Sequence, residues 1–371
     1  MRLELVPRAE RSTAMALVSP VIAIGLTLIF GVVLFASLGV NPARALYIYF
    51  VEPLTKAWSL EELVVKASPL VLIAVGLAIC FRANAWNIGA EGQFTAGAVA
   101  GSVLPIYFPD FQSPVLLPAM LVMAMAGGAL YGAIPAILKN RFSANEILTS
   151  LMLSYVALLI LDWLVRGPWR DPGSFNFPES RLFNASATLP LLAEGGRMHV
   201  GILFGLIIAA LAAWRLGVSV HGFAIKVTGE APRAARFAGF DQKRIILAVF
   251  VIAGALAGLA GIAEVSGTIG QLRPEISPGY GFTAIIVAFL GRLNPLGIVI
   301  AGLLLALTFL GGEAAQITLG LSDKVTRLFQ GFLLFMILAC DTLIAYRVSL
   351  KFGHRAAGVT GTADQKMVSN G

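Results

Sequence analysis

Long apolar runs separated by short polar segments occupy most of this 371-residue chain. A helix needs about 20 residues to cross a bilayer, and seven runs reach or approach that length, at residues 14–38, 115–138, 144–165, 200–214, 245–262, 295–310 and 329–346. Three more runs have only 10 to 15 residues and cover 70–81, 94–108 and 281–290. The pattern predicts an all-α, polytopic integral membrane protein with about 8–10 transmembrane helices, including re-entrant or broken segments.

The composition supports this prediction, because 58% of the residues are hydrophobic and only 13% are charged. Soluble domains have about 45–50% apolar and about 25% charged residues. Ten crossings would place about 200 residues in lipid, which leaves loops too short for a second globular domain. We therefore expect one transmembrane domain over residues 1–350 and a polar, disordered cytoplasmic tail over 351–371.

The distribution of Lys and Arg predicts the orientation. With the N-terminus inside, the inner segments contain 15 of these residues in 74 positions, at 1–14, 139–143, 215–244 and 347–371. The outer segments contain 9 in 99 positions, at 39–66, 109–114, 167–198, 264–280 and 312–327. Cytoplasmic loops of membrane proteins are enriched in Lys and Arg, so both termini are predicted to be cytoplasmic. The same bias explains the net charge of +7 without a nucleic-acid partner.

Several catalytic and nucleotide-binding motifs are missing from the sequence. No Lys follows a Gly, so the G-K-[ST] end of a P-loop does not occur, and neither do H-E-x-x-H, C-x-x-C or G-x-S-x-G. The two cysteines, Cys80 and Cys340, lie in apolar runs, which gives no basis for a disulfide framework or a zinc site. We expect a chain that is not an enzyme and carries no cofactor, with any ATP bound by a partner subunit.

Two of the short runs begin with similar sequences. Residues 87–96 (NIGAEGQFTA) and 276–284 (ISPGYGFTA) share a small-residue turn followed by Phe-Thr-Ala, and Phe94 and Phe282 are 188 positions apart. Paired, glycine-interrupted segments at corresponding points of two halves indicate a transport site. A chance match in a sequence of low diversity is the alternative.

The first of these segments carries polar groups at a break between apolar runs. Such groups can line a water-filled path, and an acidic residue at membrane depth is a functional candidate. Aromatic faces can stack on a ring of a small solute while the polar groups bind its hydroxyls. The predicted substrate path consists of Asn87, Glu91, Gln93, Phe94, Phe282 and Thr283. The alternative is that the break is a simple cytoplasmic turn.

The longest predicted cytoplasmic loop, 215–244, contains six Lys and Arg residues. Within it, residues 229–239 (GEAPRAARFAG) are predicted to form one short amphipathic helix, which begins near Pro232 and ends at Gly239. Its small side chains form a smooth face that consists of Ala231, Ala234, Ala235 and Ala238. We expect this face to dock on a partner, with Arg233 and Arg236 at its rim. A solvated loop is the alternative.

Three stretches in order, 87–93, 144–155 with 167–172, and 229–239, resemble permease subunits of bacterial ABC importers in the branched-chain amino acid, ribose and nucleoside permease family. The likeness extends over about residues 60–345 and is closest to the nucleoside or simple-sugar branch. It implies a bacterial inner-membrane location, surrounding lipid, an ATP-binding subunit, a second permease subunit (identical or different) and an extracytoplasmic substrate-binding lipoprotein.

The resemblance also implies that the cytoplasmic loop couples the permease to the ATPase, like the EAA loop of other importers. The residues assigned to coupling are Gly229, Glu230, Ala231, Arg233, Ala234, Ala235 and Gly239. Pro232 stands where that loop has a second alanine, so the match is loose.

The leading hypothesis is a path-forming permease subunit for a nucleoside or simple sugar, driven by a separate ATPase. An ion-coupled secondary transporter is the alternative. That class needs buried carboxylates or unwound cation sites along its path, and the sequence offers Glu91 and little else. A membrane-embedded enzyme would need a nucleophile, base or metal cluster that the sequence lacks.

Overall fold

The computed structural model describes residues 2–7, 13–192 and 195–351; beyond Lys351, the predicted tail lies outside these ranges. The described helices are α1 Thr13–Ser37, α2 Pro42–Phe50, α3 Ala57–Arg82, α4 Ala90–Tyr107, α5 Leu116–Phe142, α6 Glu146–Arg166, α7 Gly201–Val218, α8 Val220–Glu230, α9 Pro232–Phe237, α10 Gln242–Glu264, α11 Tyr280–Leu290, α12 Pro295–Leu319 and α13 Asp323–Ala345. Strands β1 Arg2–Pro7 and β2 Tyr346–Lys351 pair antiparallel.

The prediction of an all-α, polytopic membrane protein is confirmed. Helices α1, α3, α5, α6, α7, α10 and α12 are long and apolar enough to cross a membrane. Of the others, α4 has 18 residues and α13 has 23, whereas α11 has only 11. The prediction of a short run at 70–81 was wrong, because α3 is continuous over 26 residues from Ala57. Its first turns contain charged side chains, which pair within the protein and so do not end the helix.

Helices α4 and α11 are both preceded by non-helical chain, at 83–89 and 270–279. The ring of Tyr280, the first residue of α11, lies 5.7 Å from the ring of Phe309 in α12. Phe309 is about 21 Å along α12 from its first residue, at 1.5 Å per residue. Helix α11 therefore begins near the middle of the domain, where the ring of Phe94 in α4 also contacts Tyr280 at 6.2 Å.

Glycines bring α4, α5 and α10 into backbone contact. A Cβ atom at Gly97 would overlap the backbone of Gly258, and a Cβ atom at Gly128 would overlap the carbonyl of Gly254. Small residues on facing helices allow this close approach in membrane proteins. The three helices form a tightly packed centre that holds the first residues of α4 in place.

The β1–β2 ribbon joins the two ends of the described chain. Strand β1 precedes α1, strand β2 follows α13, and Arg2 pairs with Lys351. Helices α1 and α13 also pack together, with the rings of Phe30 and Phe332 stacked at 3.8 Å. Both ends of the membrane domain consequently lie on the same side of it.

Candidate functional site

In the non-helical segment before α4, two side-chain amides hydrogen-bond each other. The Asn87 Nδ2 group donates to Gln93 Oε1 at 3.0 Å, and the Gln93 Nε2 group donates to Asn87 Oδ1 at 3.1 Å. Asn87 Oδ1 also accepts from the Gly89 N–H at 3.0 Å. Both side chains are almost fully buried. This arrangement lets the chain turn into α4 at membrane depth without leaving polar groups unpaired.

Two serines of α6 complete the hydrogen bonding at this turn. The Ile88 N–H donates to Ser150 Oγ at 3.1 Å, and the Gly92 N–H donates to Ser154 Oγ at 3.3 Å. Ile88 precedes the helix and Gly92 lies in its first turn, where N–H groups have no partner within the helix, so the two hydroxyls replace water. A Cβ at Gly92 would lie 2.7 Å from Ser154 Cα, which explains the glycine.

Glu91 joins the N-termini of α4 and α11. Its Oε2 atom accepts from the Gly281 N–H at 2.6 Å, and the Ser277 hydroxyl also hydrogen-bonds the carboxylate. Ser277 Oγ in turn accepts from the Tyr280 N–H at 2.9 Å. The N-terminus of a helix carries a partial positive charge, so one buried carboxylate lies between two such charges. We call this contact between Glu91, Ser277 and Gly281 the half-helix junction.

The predicted path residues surround the half-helix junction. Asn87, Glu91, Gln93, Phe94 and Thr283 are all buried, each at most 5% exposed, and Phe282 is partly exposed. In this conformation they form a closed contact between helices rather than the wall of an open passage. Sequence reasoning found these residues but missed Ser150, Ser154, Ser277 and Gly281.

Charged side chains that the sequence reasoning missed converge near one end of α3, α10 and α12. Lys66 Nζ lies 2.9 Å from Glu313 Oε1 and 3.6 Å from Glu62 Oε1, and Arg197 lies 3.0 Å from Glu62. Glu264, at the end of α10, is 7% exposed. Glu62 is equally buried, so the estimate that Glu91 stands almost alone was wrong. The i, i+4 spacing of Glu62 and Lys66 in an apolar helix was the available signal.

Replacing Lys66 with Met is expected to lower the free energy of unfolding by about 3 kcal/mol. The substitution removes the cation that Glu62 and Glu313 share and leaves Glu62 with Arg197 alone. Removing one partner of a buried pair costs about 3–5 kcal/mol, and the remaining Arg197 keeps the loss at the lower end of this range. The matched control is Lys56→Met, because Lys56 pairs with Glu52 at an exposed site and should lose at most about 1 kcal/mol. Unfolding of the detergent-solubilised variants measures both values, and equal losses would contradict the prediction.

The loop between α7 and α10 contains two helices where the sequence predicted one. Helix α8 ends at Glu230, α9 begins at Pro232, and Ala231 between them has φ −143° and ψ 71°. Proline forces the preceding residue out of the helical region, so Gly229 and Glu230 belong to α8 and not to the predicted helix. The predicted start at Pro232 and stop at Gly239, which has φ +83°, are both present.

The predicted smooth face is divided between two sides of α9. Ala235 is 2% exposed and packs against the permease domain itself, whereas Ala231, Ala234 and Ala238 are exposed. The exposed side also carries Arg233, Arg236 and the ring of Phe237, which is 94% exposed. We refer to the outward side of α9 as the α9 surface. Phe237 was missed because the sequence reasoning considered only the alanines and arginines.

The end of α8 contacts the start of the break before α4. A Cβ at Gly229 would overlap the Arg82 carbonyl and lie 3.1 Å from the Ala83 carbonyl carbon. The two backbones therefore touch where α3 ends and segment 83–89 begins. Helix α8 is therefore in contact with the chain that leads to Asn87 and Glu91.

The segment before α11 is covered by the long loop 167–198. The Ser180 N–H donates to the Leu272 carbonyl at 3.0 Å, and the Phe183 N–H donates to the Gly270 carbonyl at 2.9 Å. The neighbouring His199 ring is 2% exposed, and burial lowers its pKa, so the ring is neutral near pH 7. Loop 167–198 thus contacts the segment that leads to α11, whereas α8 contacts the segment that leads to α4.

A protein-family model described as the permease component of branched-chain amino acid transport systems matches residues 59–338. The chain belongs to this family. The resemblance indicated by the sequence stretches is therefore confirmed. Within the part of the chain that the structure describes, no group of three His, Cys, Asp or Glu side chains is placed to hold a metal ion.

Three relatives cover most of this permease. The glucose ABC transporter permease protein TsgB13 of Haloferax volcanii is 35% identical over 366 residues, 96% of this chain and 96% of that protein. The nucleoside ABC transporter permease protein NupB of Lactococcus lactis is 27% identical over 326 residues, 86% and 89% of the two chains. The guanosine ABC transporter permease protein NupP of Bacillus subtilis is 30% identical over 312 residues, 83% and 89%.

These relatives are permease proteins of ABC transporters, and the permease described here is a multi-pass membrane subunit of the same kind of transporter. Its family is a transport component and not a class of enzymes. A permease of this kind works with a separate ATP-binding subunit.

Proposed function

We propose that this permease imports a simple sugar or a nucleoside across the cytoplasmic membrane as part of an ABC importer. The observation that supports the solute class is the 35% identity to a glucose permease protein over 96% of both chains, together with the nucleoside and guanosine permease proteins. Its partners are an ATP-binding subunit, a second permease subunit and an extracytoplasmic substrate-binding lipoprotein. The ATP is bound by the ATP-binding subunit, and the termini of the permease are cytoplasmic.

The α9 surface docks in a groove on the ATP-binding subunit. Its exposed alanines allow close approach, Phe237 supplies a large aromatic anchor, and aromatic and arginine side chains dominate the binding energy of many interfaces. Arg233 and Arg236 lie at the rim, where charges set orientation and encounter rate more than affinity. Glu230, Ala231 and Ala234 complete this surface, whereas Gly229, Ala235 and Gly239 shape the two helices that present it.

The contact of Gly229 with the end of α3 connects the docking site to the substrate path. When the ATP-binding subunits close, α8 and α9 move segment 83–89, which carries Asn87. The half-helix junction is then the element with two arrangements, joined as seen here or separated. Separation would expose Glu91, Gln93 and Phe94 on α4 and Phe282 and Thr283 on α11 to the passing solute. The external binding protein would set the specificity, so affinity at these residues is low.

Uptake competition in proteoliposomes tests the solute class. The complete transporter, reconstituted with its binding protein and ATP, is expected to accumulate either radiolabelled glucose or radiolabelled guanosine. Accumulation of the labelled solute should fall at least tenfold in the presence of an excess of the same unlabelled compound. Accumulation of radiolabelled leucine, without accumulation of glucose or guanosine, would contradict the proposed solute class.

The orientation is tested by cysteine labelling at two phenylalanines that are equally exposed. Phe175, in loop 167–198, and Phe237 are each 94% exposed, so in the permease expressed without its partner subunits only the membrane should distinguish them. A membrane-impermeant maleimide applied to intact cells is expected to label Phe175→Cys and not Phe237→Cys, with both labelled after detergent treatment. The native Cys80 and Cys340 are buried, and the unsubstituted protein gives the background. Labelling of Phe237→Cys in intact cells would reverse the topology.

A further inference from the structure

A groove of about 250 Å³ opens between α7, α8 and α10 at the end where α7 meets the basic loop. Its walls are mainly aliphatic and include Ala212, Leu216, Ala248 and Ile252. The titratable side chains among its lining residues are Arg215 and His221, and no carboxylate belongs to the lining. The groove therefore combines an apolar floor with a rim that attracts anions.

Arg215 is available for a ligand at this rim. It is exposed in the last turn of α7, and within the described residues its side chain has neither an ion pair nor a hydrogen bond. By contrast, the nearby Arg244 is paired with Asp241 at 3.2 Å. A cation that the protein itself leaves uncompensated beside an apolar groove favours an amphipathic anion.

The groove lies at the boundary between membrane and water. Trp214, adjacent to Arg215, is 60% exposed, and Leu211 one turn earlier is 52% exposed. Exposed tryptophan beside a cation marks the headgroup level of a transmembrane helix, and exposed leucine faces acyl chains. From Ile245 to Ile252 the groove follows α10 for about 10 Å towards the membrane centre, at 1.5 Å per residue.

We propose that this groove binds an anionic phospholipid. The upper part of one acyl chain lies along Ala248 and Ile252, and the headgroup phosphate accepts hydrogen bonds from Arg215 at the rim. Basic pockets between transmembrane helices at the membrane surface bind anionic headgroups in this way. An acyl chain suits a narrow, aliphatic groove that runs into the bilayer, whereas a protein partner would have to enter the lipid.

Native mass spectrometry of the full transporter, delipidated and then titrated with phosphatidylglycerol or phosphatidylcholine, tests the site. Arg215→Gln is expected to weaken phosphatidylglycerol retention about fivefold, the effect of one cation near an anionic membrane surface. Ala248→Phe should remove the bound lipid by filling the groove. The matched control is Arg141→Gln, which removes an exposed cation at the end of α5 that is not part of the groove.

Three outcomes would overturn the proposal. Equal retention by Arg215→Gln and Arg141→Gln would show that Arg215 holds no headgroup. Equal retention of phosphatidylcholine and phosphatidylglycerol would show that the rim does not select an anion. If the isolated permease retains the lipid and the full transporter does not, a partner subunit covers the groove. Selective loss in Arg215→Gln and Ala248→Phe, with normal binding of the ATP-binding subunit, supports the site.

Discussion

Replacing Ala234 with Trp is expected to lower ATP-driven uptake at least tenfold while the permease remains folded. Ala234 is exposed on the α9 surface, so an indole there meets no part of the permease itself. It would hold the ATP-binding subunit away from the exposed alanines and separate Phe237 from its pocket. Losing a central aromatic anchor costs about 2 kcal/mol or more, which corresponds to a roughly 30-fold weaker association. Co-purification of the ATP-binding subunit and solute-stimulated ATP hydrolysis measure the effect.

Two further variants make this test specific. Phe237→Ala removes the anchor without adding bulk and should also weaken co-purification. Arg141→Trp adds the same indole at an exposed position on the same side of the domain, where the neighbouring Asn140 bonds the Lys243 carbonyl at 2.8 Å; it should leave hydrolysis unchanged. If Ala234→Trp and Phe237→Ala both bind and stimulate the ATP-binding subunit normally, the α9 surface is not the docking site.

Replacing Gly281 with Ala is expected to disrupt the half-helix junction and lower uptake at least tenfold. A Cβ at this position would lie 2.5 Å from Glu91 Cα and closer still to its backbone nitrogen. Helix α4 cannot move aside easily, because it is held by the glycine contacts with α5 and α10. Overpacking of a filled interior costs about 1–3 kcal/mol or more, and here it also breaks the hydrogen bond to Glu91.

The control for this variant is Gly217→Ala, because a Cβ at Gly217 meets nothing within 4 Å. That variant should unfold and transport like the parent protein. Glu91→Gln keeps the shape of the side chain and an oxygen acceptor for Gly281 but removes the negative charge between the two helix N-termini. It should reduce uptake without preventing assembly with the partner subunits. Parental uptake by both Gly281→Ala and Glu91→Gln would show that transport does not depend on the half-helix junction.

The membrane architecture was predictable because apolar length is a local property of the sequence. The exceptions were helices whose extent depends on contacts with other parts of the chain. Helix α3 extends to Ala57 because Glu62 and Lys66 pair with each other and with Glu313, which no scan of apolar length detects. The loop helix begins at Pro232 as predicted, whereas helix α8 before it was not predicted.

The polar residues at the centre of the site were predictable, and the residues that hydrogen-bond them were not. Asn87, Glu91 and Gln93 stand out because they are polar at a break between apolar runs. Ser150 is 62 residues from Ile88, and Ser277 is 186 residues from Glu91. Only the packing of α4 against α6 and α11 reveals these partners. The burial of Ala235 likewise depends on how α9 packs against the rest of the protein. The sequence of α9 alone does not determine this packing.

The most direct test of ATP-driven transport is uptake into proteoliposomes that contain the purified permease, its ATP-binding subunit and its binding protein. Uptake is expected when ATP is supplied on the side of the α9 surface, to persist when ion gradients are collapsed, and to disappear when ATP is withheld or the ATP-binding subunit is omitted. Uptake driven by an ion gradient in the absence of ATP would contradict this account and support a secondary transporter built on the carboxylates of Glu62, Glu91 and Glu264.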